Sequence, residues 1–308
     1  MRRSIALICA LSCASFAWGQ ESETTSASSQ TSGDADLISQ LWNVEDATPL
    51  APGELQLRLS GDWATGQHLG DSSDDWAMAP SIVWGVAQDW ELSLTNRIWL
   101  GDGGDMGPFQ DGNYDTNLGI LWRLHEQMGF EHQHGYLHLP SIALSSTIRI
   151  PTGDGSSGVD AELRLILTHE YTSGIRTHLN GYVKSANGDN FELDADNAGN
   201  FNLDPTQMLE LFSATGGDGL TTRDYQYGAV IGADGPLCDN GAVRWVADYM
   251  YRTSAFDQFS ALHVGEVGVE WELSAVSKVG FAVQASLDHN DSEHQWGAGF
   301  AYTYAIGA

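Results

Sequence analysis

From Glu54 onward, apolar side chains fall on every second position, segment after segment. Leu55, Leu57 and Leu59 alternate with Gln56, Arg58 and Ser60, and Leu118, Ile120, Trp122 and Leu124 with Asn117, Gly119 and Arg123. Val159, Ala161, Leu163, Leu165 and Leu167 alternate with Glu162, Arg164 and Thr168, and Val267, Val269, Trp271 and Leu273 with Glu266, Glu270 and Glu272. A period of two places all apolar groups of a segment on one face, which predicts strands rather than helices. Twelve such segments can be marked, the last ending near Tyr304. The number is even, and most segments are close to the ~9–11 residues with which a tilted strand crosses a bilayer.

The links between segments repeat a second pattern. Ala87-Gln88-Asp89, Thr172-Ser173-Gly174, the stretch around Asp234-Gly235-Pro236, and Ser274 to Val276 read as tight turns. Ala64–Trp76, Gly101–Asn113, Ser185–Thr222 and Thr253–Ser260 read as longer, acidic loops. Short turns at one end and long loops at the other predict an all-β, transmembrane antiparallel barrel of about 12 strands, with periplasmic turns and extracellular loops. The His-rich link after the fourth segment breaks the rule by being long where it should be short.

Upstream of the strands the character changes. Arg2, Arg3, an apolar stretch from Ile5 to Ala17, and Ala17-Trp18-Gly19 form a secretory signal peptide, residues 1–19. Residues 20–50 read as a flexible lead, Ser/Thr-rich as far as Asp34, with a tether favoured over a plug for 35–50. The barrel then occupies 51–308. Cys238 alone survives removal of the signal, so the mature chain has no internal disulfide.

Charge sharpens the assignment. The 308 residues carry 13 Lys+Arg against 41 Asp+Glu, a formal charge of −28, which repels phosphate backbones and argues against nucleic acid as a partner. No apolar run past the signal approaches the ~20 residues of a membrane helix. All eleven Lys and Arg beyond Arg3 lie in or beside predicted strands, nearly all on the polar face. A basic residue toward lipid costs ~2–4 kcal/mol at mid-depth, so this face should line a watery lumen. The predicted lumen residues are Arg58, Arg97, Arg123, Arg149, Glu162, Arg164, Arg176, Arg244, Asp248, Glu266 and Glu270. The competing fold is a soluble β-sandwich with charges toward solvent, which has no need of the two-sided loop asymmetry.

Arg149-Ile150-Pro151-Thr152-Gly153-Asp154, followed by Gly158-Val159-Asp160-Ala161-Glu162-Leu163-Arg164-Leu165-Ile166, resembles the bacterial outer-membrane transporter family associated with the MetA pathway of phenol degradation. The similarity extends loosely from about Glu54 to the C-terminus. It implies a porin-like barrel in a Gram-negative outer membrane that moves small hydrophobic or aromatic compounds. It supplies no catalytic or binding residues.

Other chemistry is weaker. His125, His132, His134 and His138, with Glu126 and Glu131, could hold a transition metal, but no ligand spacing signature is present and a polar periplasmic turn explains them as well. Asp194-Ala195-Asp196-Asn197-Ala198-Gly199 opens like a calcium loop, then has Pro205 where the bidentate Glu belongs. No cofactor is expected beyond loose Ca²⁺ or Mg²⁺ binding by acidic loops. Ala186–Thr222, with Asp204 and Pro205 as a helix start before Met208, Leu209, Leu211 and Phe212, reads as either a folded gate or a surface loop. His289-Asn290-Asp291-Ser292 and His169-Glu170 are the nearest material for an esterase. The leading expectation is a channel for passive uptake of small molecules, with outer-membrane lipid as its surrounding partner. A barrel without transport and a lipid hydrolase are the alternatives. Oligomeric state is open.

Overall fold

A computed structural model describes residues 44–68, 71–96, 98–99, 115–132, 135–152, 159–185, 225–238, 240–253, 261–287 and 296–307. Its strands are β1 (Leu55–His68), β2 (Asp71–Ala87), β3 (Trp90–Asn96), β4 (Ile98–Trp99), β5 (Thr116–His125), β6 (Met128–His132), β7 (Gly135–Leu139) and β8 (Ser141–Ile150). They continue with β9 (Asp160–Glu170), β10 (Arg176–Ser185), β11 (Tyr225–Pro236), β12 (Val243–Arg252), β13 (Leu262–Ser274), β14 (Ser277–Ser286) and β15 (Trp296–Ile306). β4 continues β3 along the same neighbour, β2, and β6 pairs only with β7. The rest is a closed antiparallel barrel of twelve strands, because β1 pairs with β2 on one side and β15 on the other. Among the described residues there is no helix.

The alternation seen in the sequence is the in–out alternation of the wall. Along β9, Asp160, Glu162, Arg164, Ile166 and Thr168 are buried while Ala161, Leu163 and Leu165 are exposed. Trp84, Trp122, Trp271, Trp296, Phe281 and Tyr302 all stand on the outside, and Trp90 stacks on Trp122 with centroids 4.9 Å apart. The polar groups point inward. That is the reverse of a soluble sandwich, and so continuous an apolar exterior needs lipid around it.

The described turns gather at one end of the barrel. Leu55 lies opposite both Trp84 and Ile306, so the start of β1 and the end of β15 share the end that carries the turns. At the β2–β3 turn Asp89 takes the left-handed conformation at φ 67°, which Asp tolerates better than most residues, and its carboxylate meets Arg123 at 2.6 Å.

Three links differ from the sequence reading. Ala64–Trp76 is not a loop: β1 and β2 stay paired from Ala64↔Asp75 to His68↔Asp71. The backbone ladder continues there although the apolar alternation of the sequence stops. Asp234 to Pro236 belongs to β11, and the turn is 237–242, closed by Leu237 N–H donating to Val243 O at 2.7 Å. The His-rich link is a hairpin of its own, β6–β7. At its base the Gln127 side-chain amide copies a strand partner, donating to Glu170 O and accepting from Glu170 N–H at 2.7 Å each.

The largest difference lies upstream of β1. Part of the stretch assigned to the lead, Val44–Leu50, is packed inside the barrel rather than trailing from it. Ala47 is fully buried and packs with Leu121, Ala143 and Ile166. Val44 packs against the cluster of Tyr182, Val230, Met250 and Val264. Gly85 makes room for the entry of this strap, since a Cβ there would lie 2.1 Å from Ala51 O.

Candidate functional site

The lumen is built from the inward positions of neighbouring strands, where cross-strand partners on one face lie about 4.5–5.5 Å apart. Register therefore decides which charges meet. Glu170 and Asp234 flank Arg176 on either side, Arg164 lies opposite Tyr182, and Arg149 lies opposite Asp160. Long side chains reach beyond these partners and converge on the strap.

Asp234 is the hub at the turn end. Arg176 Nε donates to Asp234 Oδ1 and Oδ2 at 3.2 and 3.1 Å, and Arg176 Nη2 to Oδ1 at 2.9 Å. Arg244 Nε donates to the same Oδ1 at 2.8 Å, and Arg244 Nη2 also reaches Gly174 O at 3.0 Å. His178 Nε2 lies 2.8 Å from Asp234 Oδ2. Arg176 turns its remaining Nη1 to Asp46 Oδ2 of the strap at 2.6 Å. Two guanidinium groups sharing one buried carboxylate need a further anion, and the strap provides it.

Deeper in the lumen, Arg164 is 1% exposed. Its Nε donates to Glu162 Oε1 at 3.0 Å, Nη1 lies 3.6 Å from Glu45 Oε1, and the guanidinium sits 4.8 Å over the Tyr182 ring. The strap backbone is bonded as well. Asn180 Nδ2 donates to Glu45 O at 3.3 Å, Ala47 N–H to Thr168 Oγ1 at 3.0 Å, and Leu50 N–H to Glu91 Oε2 at 2.9 Å.

The loop end has its own clamp. Arg149 Nη1 meets Asp115 Oδ2 at 2.6 Å and Nε meets Asp160 Oδ2 at 2.8 Å, tying β5, β8 and β9 together where their loops begin. Elsewhere Arg58 donates to Gln56 Oε1 at 3.2 and 3.0 Å, and Lys278 lies 3.3 Å from Glu270.

Arg58, Glu162, Arg164, Arg176, Arg244, Asp248, Glu266 and Glu270 are all buried on the inner face, and Arg123 and Arg149 are half-buried there. Arg97 lies outside the described residues, as do Ala186–Thr222, Asp194–Gly199 and His289–Ser292. Of the His cluster, only the His125 side chain is described, and no group of metal-ligating residues is found among the described residues. Sequence reasoning missed Glu45 and Asp46, hidden in a polar lead, and Asp234, hidden in a turn signal. Asp160 was within reach of parity counting, since it shares the even positions of Glu162 and Arg164.

One chain of bonds has the connectivity of a hydrolase triad: Thr168 Oγ1 to His178 Nδ1 at 3.1 Å, and His178 Nε2 to Asp234. Thr168 Oγ1 already accepts the Ala47 N–H, and Asp234 already carries two arginines. These contacts hold the strap and leave no exposed nucleophile at Thr168.

No protein-family model matches the chain, and no curated protein matches it in sequence. Its fold is that of outer-membrane barrels. The chain is similar to the COG4313 outer membrane channel from Pseudomonas putida F1, with a TM-score of 0.56 and 10% identity over 85% of this chain and 98% of that one. It is also similar to the NanC porin, with a TM-score of 0.52 and 8% identity over 80% of this chain and 98% of that one.

Proposed function

We propose that the protein is an outer-membrane channel through which small solutes move passively. The observation that supports this best is the inverted wall: a closed ring of strands, apolar outside, with ten of the eleven sequence-predicted lumen residues inside it. In this reading the signal peptide is cleaved after Gly19, the turn end with both barrel termini faces the periplasm, and lipid covers the apolar exterior. In this reading the barrel has no catalytic role.

For the cargo, the family resemblance favours small hydrophobic or aromatic compounds. The arginine and carboxylate lining favours polar solutes, because an apolar molecule gains nothing by displacing buried ion pairs. A structural barrel without transport is the second reading, and the bonded strap supports it.

Planar-bilayer conductance of the refolded full chain tests the proposal. Steady single-channel currents are expected, with faster uptake of small solutes into vesicles. Silence in both assays, from protein that still shifts its gel mobility on heating, would leave the structural barrel.

A further inference from the structure

Resting on the channel reading, we propose that solutes cross the barrel along one side only, in a water-filled passage between the strap and the inner faces of β14, β15 and β1, and that this passage takes small hydrophilic solutes. The strap marks out the closed side. Its Leu50 N–H meets Glu91 of β3, its Ala47 packs on Leu121, Ala143 and Ile166 of β5, β8 and β9, and its Val44 lies against the cluster that begins with Tyr182 of β10. Behind it, midway along β8, β9 and β10, every inward group is buried. Ser145 is 4% exposed, and Ile166 and Asn180 are 0% exposed.

The far side differs. Ser60 and Asp62 of β1 and Gly299 and Ala301 of β15 turn inward midway along their strands and are half-buried. They form one patch, because Ser60 lies opposite Ala301 and Asp62 opposite Gly299, with Ala282 of β14 opposite Gly299 on the other side. Three strands about 4.8 Å apart make the patch roughly 10 Å across. Inward groups that keep contact with water at the middle of a barrel wall have a water-filled space in front of them. Small side chains leave that space, and the strap, bonded to the opposite wall, does not fill it.

The chemistry open to the space selects the cargo. Among the described inward residues of β14, β15 and β1, the groups in reach of water are hydroxyl, carboxamide, carboxylate and ammonium, with nothing apolar larger than the methyl of alanine. A sugar or an amino acid can exchange water for such groups one hydrogen bond at a time. A hydrocarbon would bury no apolar area there. Toward the turn end the passage narrows. Arg58 and Thr303 are buried, and Lys278, opposite Thr303 and 3.3 Å from Glu270, is the longest half-buried side chain on this side. Lys278 therefore sets the size limit.

Two serines provide the test, both inward and midway along their strands: Ser60 on the open side and Ser145 behind the strap. Each is changed to Cys in a Cys238→Ser background of the full chain, folded into phospholipid vesicles. A sulfonated maleimide probes access, and vesicle swelling in L-arabinose probes passage. Ser60→Cys should react while folded, and the label should cut arabinose entry and single-channel current severalfold. Ser145→Cys should react only after heat denaturation. Lys278→Ala should raise arabinose entry with heat-modifiable mobility unchanged. Labelling of Ser145→Cys as fast as Ser60→Cys, or a labelled Ser60→Cys that conducts as before, overturns the passage. Current without arabinose entry overturns the solute class. If Ser60→Cys fails to fold, Ala301→Trp obstructs the same patch without a label, and undiminished arabinose entry then overturns the passage. Failure of the channel reading looks different: Ser60→Cys reacts, but the unlabelled protein carries neither current nor arabinose, which keeps the water-filled space and removes the channel.

Discussion

β9 and β10 turn Asp160, Glu162, Arg164, Ile166 and Thr168, and Arg176, His178, Asn180, Tyr182 and Lys184, into the lumen. Six strands round the barrel, β15 turns inward Gly297, Gly299, Ala301, Thr303 and Ala305. Its neighbour β14 adds Gly280 and Ala282. One wall is long, charged and multiply bonded; the other is mostly small, with Lys278 and Gln284 of β14 on either side of its glycine and alanine positions. The strap bonds described above all go to β3, β9 and β10. The backbone of both walls is the same ladder, so the difference lies entirely in the inward side chains. The backbone ladder therefore runs evenly around the ring, while the side-chain bonding inside it does not.

Breaking the bonded wall should have the largest effect. Asp234→Ala leaves Arg176 and Arg244 buried without their shared carboxylate, and should cost about 3–5 kcal/mol in urea unfolding from phospholipid vesicles. An equal loss from truncating Gln284 on the quiet side would erase the contrast between the walls.

A charge moved across the sheet comes next. Leu163→Arg, placed on the lipid side of β9, should destabilise by about 2–4 kcal/mol, whereas Ala301→Arg on the inner face of β15 should stay within about 1 kcal/mol. The same unfolding assay reads both, and the opposite order would turn the wall inside out.

Crowding the strap's entrance should have a smaller effect. In Gly85→Ala the new Cβ meets Ala51 O and Leu50 O, which must shift, for about 1–3 kcal/mol. Faster protease cutting near Leu50 should accompany that loss. Intact resistance would mean that the strap is held by its ion pairs alone. Smallest of all, Ala301→Ser should change stability by less than about 0.5 kcal/mol, since its cross-strand neighbours are the small residues Ser60 and Gly280.

The barrel itself was legible because lipid outside and water inside force the two faces of every strand apart. Each of the twelve segments repeats that division, and eleven cations, nearly all on the polar face, leave little freedom in assigning the faces. What the pattern could not show was anything decided by long-range pairing of polar groups. Glu45 and Asp46 look solvated in sequence, because nothing local tells that Arg164 and Arg176, more than a hundred residues later, will meet them. Asp234 followed by Gly-Pro has the chemistry of a turn, and the neighbouring strands β10 and β12 override it. Ala64–Trp76 lacks alternation yet stays paired, because the hydrogen bonds of a ladder join backbone groups and need no apolar face.

The seam between β1 and β15 also orders events in time. Leu55 pairs with Ile306, two residues near opposite ends of the chain, and the seam runs on to Thr65↔Trp296. Contacts of such sequence separation are the slowest kind to form, and none of these can exist until the final strand has been delivered. The strap stands just upstream of β1. A chain that closes its ring first would have to thread seven residues into a sealed cylinder past Gly85, so the simplest route seats the strap while the cylinder is still an open, curling sheet. Closure of the last pair of strands is then also the act that locks the strap in.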